Sequence, residues 1–141
     1  MRRYAHVIGS GTRDAGSGRW REVFEPASGR AYAEVADGDA GDVDAAAAAA
    51  RAAFPAWSAL RNSERARHLE RLADALEDRL DDFAHAEARD GGKPYALARD
   101  AEIPRAVANL RFFAHAATQF ASEAHHGEAG LNYTLRQPLG V

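Results

Sequence analysis

A chain of 141 residues with 18 Lys and Arg against 21 Asp and Glu carries a net charge of −3, so no basic excess draws it to nucleic acid or to an anionic membrane. No apolar run approaches the ~20 residues that span a bilayer, and the opening MRRYAHVIGS lacks the apolar stretch of a secretory signal, so a cytoplasmic location is expected. The absence of cysteine removes disulfides, thiolate metal sites and thiol nucleophiles from these residues, while the length suits one domain that buries roughly 68 to 70% of its extended surface.

His6-Val7-Ile8 and Arg19 to Phe24 read as short strands, paired antiparallel and separated by a Gly- and Ser-rich loop from Gly9 to Gly18. In Glu25-Pro26-Ala27-Ser28-Gly29, Pro26 fixes φ at the second position of a turn and Gly29 supplies a left-handed residue, which predicts a reversal into a strand at Ala31 to Ala36. Asp39 or Asp42 caps a following helix with apolar positions Val43, Ala46, Ala47, Ala50, Ala53, Phe54 and Trp57. Phe54 and Trp57 are its expected anchors, and Pro55 is expected to end it near Phe54.

Asn62 or Ser63 caps the next helix, in which Ala66, Leu69, Ala73, Leu76, Leu80 and Phe83 form one apolar stripe before Gly91-Gly92 stops it. Its other face, with Arg67, Glu70, Arg71, Asp74, Glu77 and Asp78, reads as solvated surface with pairs worth ~0.2 to 0.5 kcal/mol each. After Lys93-Pro94 a short helical turn leads to a long helix entered between Asp100 and Pro104, whose broad apolar face runs from Ile103 through Val107, Leu110 and Ala114 to Ala121 and is widened by Phe113 and Phe120. Ser122 to Gly130 is predicted as loop, and Leu131 to Arg136 alternates as a half-buried strand. The residues alone therefore predict a mostly α-helical chain with short N-terminal strands and one C-terminal strand.

Few side chains suggest chemistry. Gly9-Ser10-Gly11 completes neither a dinucleotide fingerprint nor a Walker loop and reads as a turn. His115, His125 and His126 lack metal-ligand spacing. Lys93, beside Pro94 in an exposed turn, reads as structural rather than nucleophilic. Arg105 follows Pro104 near the expected amino end of a helix, where unpaired N–H groups favour an anion and a guanidinium can grip a carboxylate with two hydrogen bonds. It can equally form a surface ion pair with Glu102 or Asp100.

The turn at Glu25 to Gly29, Asp42-Val43-Asp44, Ala53-Phe54-Pro55-Ala56-Trp57, Asn132-Tyr133-Thr134 and Pro138-Leu139-Gly140-Val141 together resemble the aldehyde dehydrogenase superfamily. The segments EIPRAVANLRFFA and NYTLRQPLGV are most similar to semialdehyde dehydrogenases that act on hydroxymuconate or aminomuconate semialdehydes. An Asn usually precedes the turn Pro in those enzymes, whereas Glu25 stands here. The resemblance implies an α/β parent fold, with residues 1–130 as the N-terminal part of its dinucleotide-binding domain and 131–141 as the first strand of an oligomerisation arm.

It also implies oxidation of a small aldehyde by NAD or NADP in a homo-oligomeric parent, through a Cys nucleophile and a Glu base. Neither those catalytic residues nor the cofactor loop is matched in this chain, so an inactive N-terminal fragment prone to self-association or aggregation is expected, binding no cofactor alone. By the same resemblance Arg105 contacts the substrate carboxylate at the entrance, and Asp90 holds a monovalent cation together with the backbone carbonyls of Val23 or Phe24. The alternative for Asp90 is a cap on its own turn. A second expectation, of another class, is a stand-alone, non-catalytic helical module that binds a full-length dehydrogenase.

Overall fold

A computed structural model describes all 141 residues, Met1 to Val141. The first strands are β1 (Arg2–Tyr4), β2 (His6–Ile8), β3 (Gly11–Arg13), β4 (Trp20–Glu25) and β5 (Arg30–Ala36). They form a three-stranded sheet in the order β1-β5-β4 and a separate β2–β3 hairpin. The sequence reading requires correction here: β2 pairs with β3, inside the segment expected to be loop, and not with β4. A two-residue turn at Gly9-Ser10, with Gly9 at φ 64°, closes that hairpin locally and leaves β4 to pair with β5. β1 joins β5 in parallel, a pairing set by tertiary proximity. The reversal at Glu25 to Gly29 is present, with Gly29 at φ 65°.

Helix α1 (Ala40–Ala59) is capped by Asp39, whose carboxylate accepts the N–H groups of Gly41 and Asp42. It does not stop at Phe54 but runs through Pro55. Beyond Pro55 the helix is held at its carbonyl end by Arg65 of the next helix, whose guanidinium donates to the carbonyls of Leu60 (2.7 Å) and Ser58 (3.4 Å), and Trp57 lies against His68. Much of its apolar face is open: Val43 is 68% exposed and Ala46, Ala50 and Ala53 face solvent, while of the expected anchors Phe54 is half-buried and Trp57 only partly covered.

The second predicted helix is two. α2 (Asn62–Glu77) and α3 (Leu80–Gly91) are separated at Asp78-Arg79. Asn62 lies inside α2 and does not cap it; instead Glu64 accepts the N–H of Arg61 at 2.8 Å. Ala66 and Ala73 of the expected stripe are buried, but Phe83 is exposed beneath the guanidinium of Arg79 and its neighbour Ala84 is buried in its place. The charged face of α2 is also more than solvated surface, because Arg111 crosses from the last helix to Asp74 (2.8 Å) and Glu77 (2.6 Å). Gly92, at φ 67°, ends α3 as predicted.

From Tyr95 the chain is helical without a break through α4 (Tyr95–Leu97), a π segment (Ala98–Glu102) and α5 (Ile103–Gln119). Pro104 was expected to mark an entrance, yet Leu97, Ala98, Glu102 and Ile103 all have right-handed helical backbone. Pro104 cannot donate a backbone hydrogen bond, and the helix adapts by widening so that Ile103 N–H bonds the carbonyl of Ala98, five residues back. The wide turn brings Ala98 and Ile103 into one small core with Ala84. The chain ends in a hairpin of β6 (Ala124–Gly127) and β7 (Gly130–Tyr133). The predicted loop thus contains a strand, and the strand expected to be half-buried is exposed and pairs with it.

Only ten residues are buried, nine of them small or medium apolar and the tenth Asp42, and no large side chain is fully enclosed. The accessible surface of 10345 Å² corresponds to burial of about half the extended surface, well below the expected share.

Candidate functional site

The end of α3 packs against the turn joining β4 to β5, and the contact is close. A Cβ on Gly92 would lie 2.7 Å from the Cβ of Pro26, so the glycine serves both the left-handed cap and the approach of the two backbones. Arg89 pairs with Glu25 at 3.4 Å and lies over the ring of Tyr32. Asp90 accepts the Tyr32 hydroxyl at 2.7 Å. That bond, reinforced by burial, pushes the Tyr32 phenol up to about 12.

The carboxylate of Asp90 therefore reaches across to β5 and makes no bond within its own turn, contrary to the capping alternative. β4 and β5 slip register between Val23 and Phe24: Val23 faces Ala33 and Phe24 faces Ala31, leaving Tyr32 as the extra residue of a bulge. The structure thus gathers Asp90, Tyr32 and the irregular ladder at Val23 and Phe24 at one end of the sheet. Tyr32 is the member sequence reasoning missed, since its position depends on a register slip that composition does not announce.

Lys93 lies just beyond Gly92. Its ammonium bonds Glu87 at 2.6 Å and Glu102 at 2.7 Å, joining α3 to the π segment. Glu102 and Glu87 raise its pKa by hydrogen bonding, the opposite of what a nucleophilic lysine needs. The structural reading of Lys93 holds, although it is half-buried and not in an open turn.

Arg105 is placed differently from the expectation. The helix begins at Tyr95, well upstream, so no free helix end surrounds it. Neither predicted ion pair forms: Glu102 is held by Lys93, and Asp100 by Arg99 at 2.9 Å. Arg99 also holds Asp81, whose pKa is lowered by hydrogen bonds from Tyr95 and Arg99. Arg105 is left exposed with no side-chain hydrogen bond or ion pair, a guanidinium whose acidic neighbours are engaged elsewhere.

His125 and His126 are adjacent on β6, where successive side chains leave opposite faces, and no group of three or more His, Cys, Asp or Glu side chains is arranged to hold a metal ion. Asp42 is the buried carboxylate, 4% exposed; it accepts the N–H groups of Asp39 and Gly16, both at 3.1 Å, and pairs with Arg13 at 3.3 Å. Backbone hydrogen bonds from Asp39 and then Gly16 lower its pKa. His6 Nε2 lies 3.8 Å from the same carboxylate. These contacts tie the β2–β3 hairpin to the start of α1.

The profile described as the aldehyde dehydrogenase family matches residues 13–141. The human 2-aminomuconic semialdehyde dehydrogenase is 42% identical over 122 residues, covering 85% of this chain and 25% of that protein. The 2-hydroxymuconic semialdehyde dehydrogenase of Pseudomonas sp. (strain CF600) is 40% identical over 147 residues, covering all of this chain and 30% of that protein. Among solved structures, PnpE from Pseudomonas sp. WBC-3 superposes with a TM-score of 0.87 at 36% identity, over 94% of this chain and 27% of that one. The NAD+ complex of an aldehyde dehydrogenase from Bacillus cereus gives 0.84 at 34% identity, over 89% and 26%. The chain spans about a quarter of the length of the curated relatives it matches.

Proposed function

Because the chain belongs to the aldehyde dehydrogenase family, we propose that these residues serve as the N-terminal part of an NAD(P)-dependent enzyme that oxidises a carboxylated semialdehyde to the acid. The relatives named for muconic semialdehydes support the substrate class, and the free guanidinium of Arg105 is the observation that carries it. An arginine without a protein carboxylate is available to receive one from the substrate, through a bidentate, charge-assisted pair.

On this reading the 141 residues supply scaffold and substrate-entrance surface. They contain no thiol to attack an aldehyde, and Gly9 and Ser10 form a hairpin turn that is no phosphate cradle, so nucleophile and cofactor grip come from other residues of the parent. NAD or NADP, if bound by those other residues, would supply the hydride acceptor. The chain alone has no turnover, and reduction of a nicotinamide by the purified 141 residues given an aldehyde overturns the reading. In an enzyme carrying this segment, Arg105→Ala raises the KM for a carboxylated semialdehyde by roughly 10- to 100-fold, the worth of one charged hydrogen-bonding pair, and leaves a neutral aldehyde nearly unchanged. Equal effects on both substrates refute the carboxylate role.

Asp90 with the carbonyls of Val23 or Phe24 belongs to the same proposal as the seat of a monovalent cation. One Asp90 oxygen is engaged by Tyr32, and the bulge interrupts the regular ladder beside both carbonyl-bearing residues, which fits a hard ion that takes oxygen ligands. Potassium then raises the melting temperature of the parent sequence relative to a bulky organic cation, and Asp90→Ala abolishes the difference. A potassium effect that survives the substitution removes Asp90 from the site.

A further inference from the structure

The bulge at Tyr32 has a second result. β1 and β5 run parallel with Arg2 opposite Ala33 and Tyr4 opposite Val35, so Arg2 and Tyr4 share one face of the sheet. Arg3 takes the other face, with Glu34 at 2.8 Å and Trp20 beneath its guanidinium. In regular register Tyr32 would fall on the Arg3 face; the extra residue turns it to the side of Arg2 and Tyr4, which α3 covers.

The outcome is a groove of about 240 Å³ lined by Arg2, Tyr4, Tyr32, His85, Ala86 and Arg89. Each arginine lies over a tyrosine ring, Arg2 at 4.9 Å from the Tyr4 centroid and Arg89 at 4.4 Å from that of Tyr32. His85 is fixed by stacking on Tyr95 at 4.2 Å. Arg2 has no carboxylate partner and no side-chain hydrogen bond, while the acids nearby are engaged: Asp90 by the Tyr32 hydroxyl and Glu25 by Arg89. Arg2 keeps its whole N–H edge free for a planar anion, Arg89 gives its Nε to Glu25 and has only its terminal nitrogens left to offer, and the tyrosine and histidine rings present flat surfaces for the anion's body.

We propose that this groove binds a small planar carboxylate, conjugated or aromatic, with its carboxylate on Arg2 and Arg89 and its plane against the tyrosine rings. The site is separate from Arg105, and the proposal does not depend on the substrate assigned above. Sodium benzoate is the probe, titrated into an enzyme carrying this segment and followed by saturation-transfer NMR, with cyclohexanecarboxylate as a control of equal charge but puckered ring.

Benzoate binding saturates, Arg2→Gln weakens it at least about fivefold as expected for loss of a charged hydrogen bond, and cyclohexanecarboxylate binds several-fold less well. Arg2→Gln is the informative variant because Arg2 holds no other residue by ion pair or hydrogen bond, and an unchanged circular dichroism spectrum and melting point show that the fold survives. Three results overturn the proposal: no saturation at millimolar benzoate, affinity unchanged in Arg2→Gln, or equal affinity for the puckered acid.

Discussion

Gly92 carries two demands that no other residue type meets together. Its φ of 67° lies in the left-handed region, and the side chain it lacks would press on Pro26 at 2.7 Å, within the rigid ring of a turn that cannot swing aside. Gly92→Ala therefore costs more than the roughly 1 kcal/mol of an ordinary left-handed glycine, and the melting point of an enzyme carrying this segment should fall accordingly in a thermal scan. A neutral result would show that α3 does not rest on the β4–β5 turn in solution. The stop signal of this glycine was readable from Gly91-Gly92, but its approach to Pro26 was not, because those residues are far apart in the chain. Arg105 and Asp90 were likewise visible as residue types, the one after Pro104 near an expected helix start and the other before Gly91-Gly92. Their partners were not: Arg99 and Lys93 take the acids that Arg105 was expected to use, and Tyr32 reaches Asp90 through a bulge.

At the scale of elements, local chemistry was legible and partnership was not. The Asp39 cap, the Glu25 to Gly29 reversal and the amphipathic stripe of α2 each follow from neighbouring residues. β1, β3 and β6 are three or four residues long and exist by virtue of strands they meet in space. Pro104 shows a local rule overridden by packing, since the π turn that absorbs it sets Ala98 and Ile103 in the same core. Asp42 links the β2–β3 hairpin to α1, and its effect has a definite sign. Its pKa is lower in the folded chain than in the unfolded one, so its contribution is fully present above the ordinary carboxylate value of about 3.9 and is lost as pH falls through the folded value. In an enzyme carrying this segment, the melting temperature followed from neutral to acidic pH should fall less steeply below about pH 4 with Asp42→Asn than without it, with the remaining slope coming from other lowered acids such as Asp37 and Asp81. Parallel acid limbs in the two proteins would show that Asp42 does not hold the hairpin to α1.

For the molecule as a whole, area decides the expected behaviour. A compact monomer of 15.2 kDa exposes about 7,100 Å² by the usual size scaling, whereas this chain exposes 10345 Å². The excess, on the order of 3,000 Å², is comparable to what obligate interfaces bury. It is also apolar where it matters: the face of α1 with Val43 and Trp57, the flank of α5 with Phe112 at 64% and Phe113 at 62% exposure, and β7 with Leu131 and Tyr133 all lack cover. A net charge of −3 offers little repulsion to keep copies apart. The 141 residues alone should therefore associate at micromolar concentration, eluting ahead of a 15.2 kDa standard, binding a hydrophobic dye and melting without a sharp transition. A compact monomer with a sharp cooperative melt would mean that these faces find cover within the chain, and that the helices reorganise in solution.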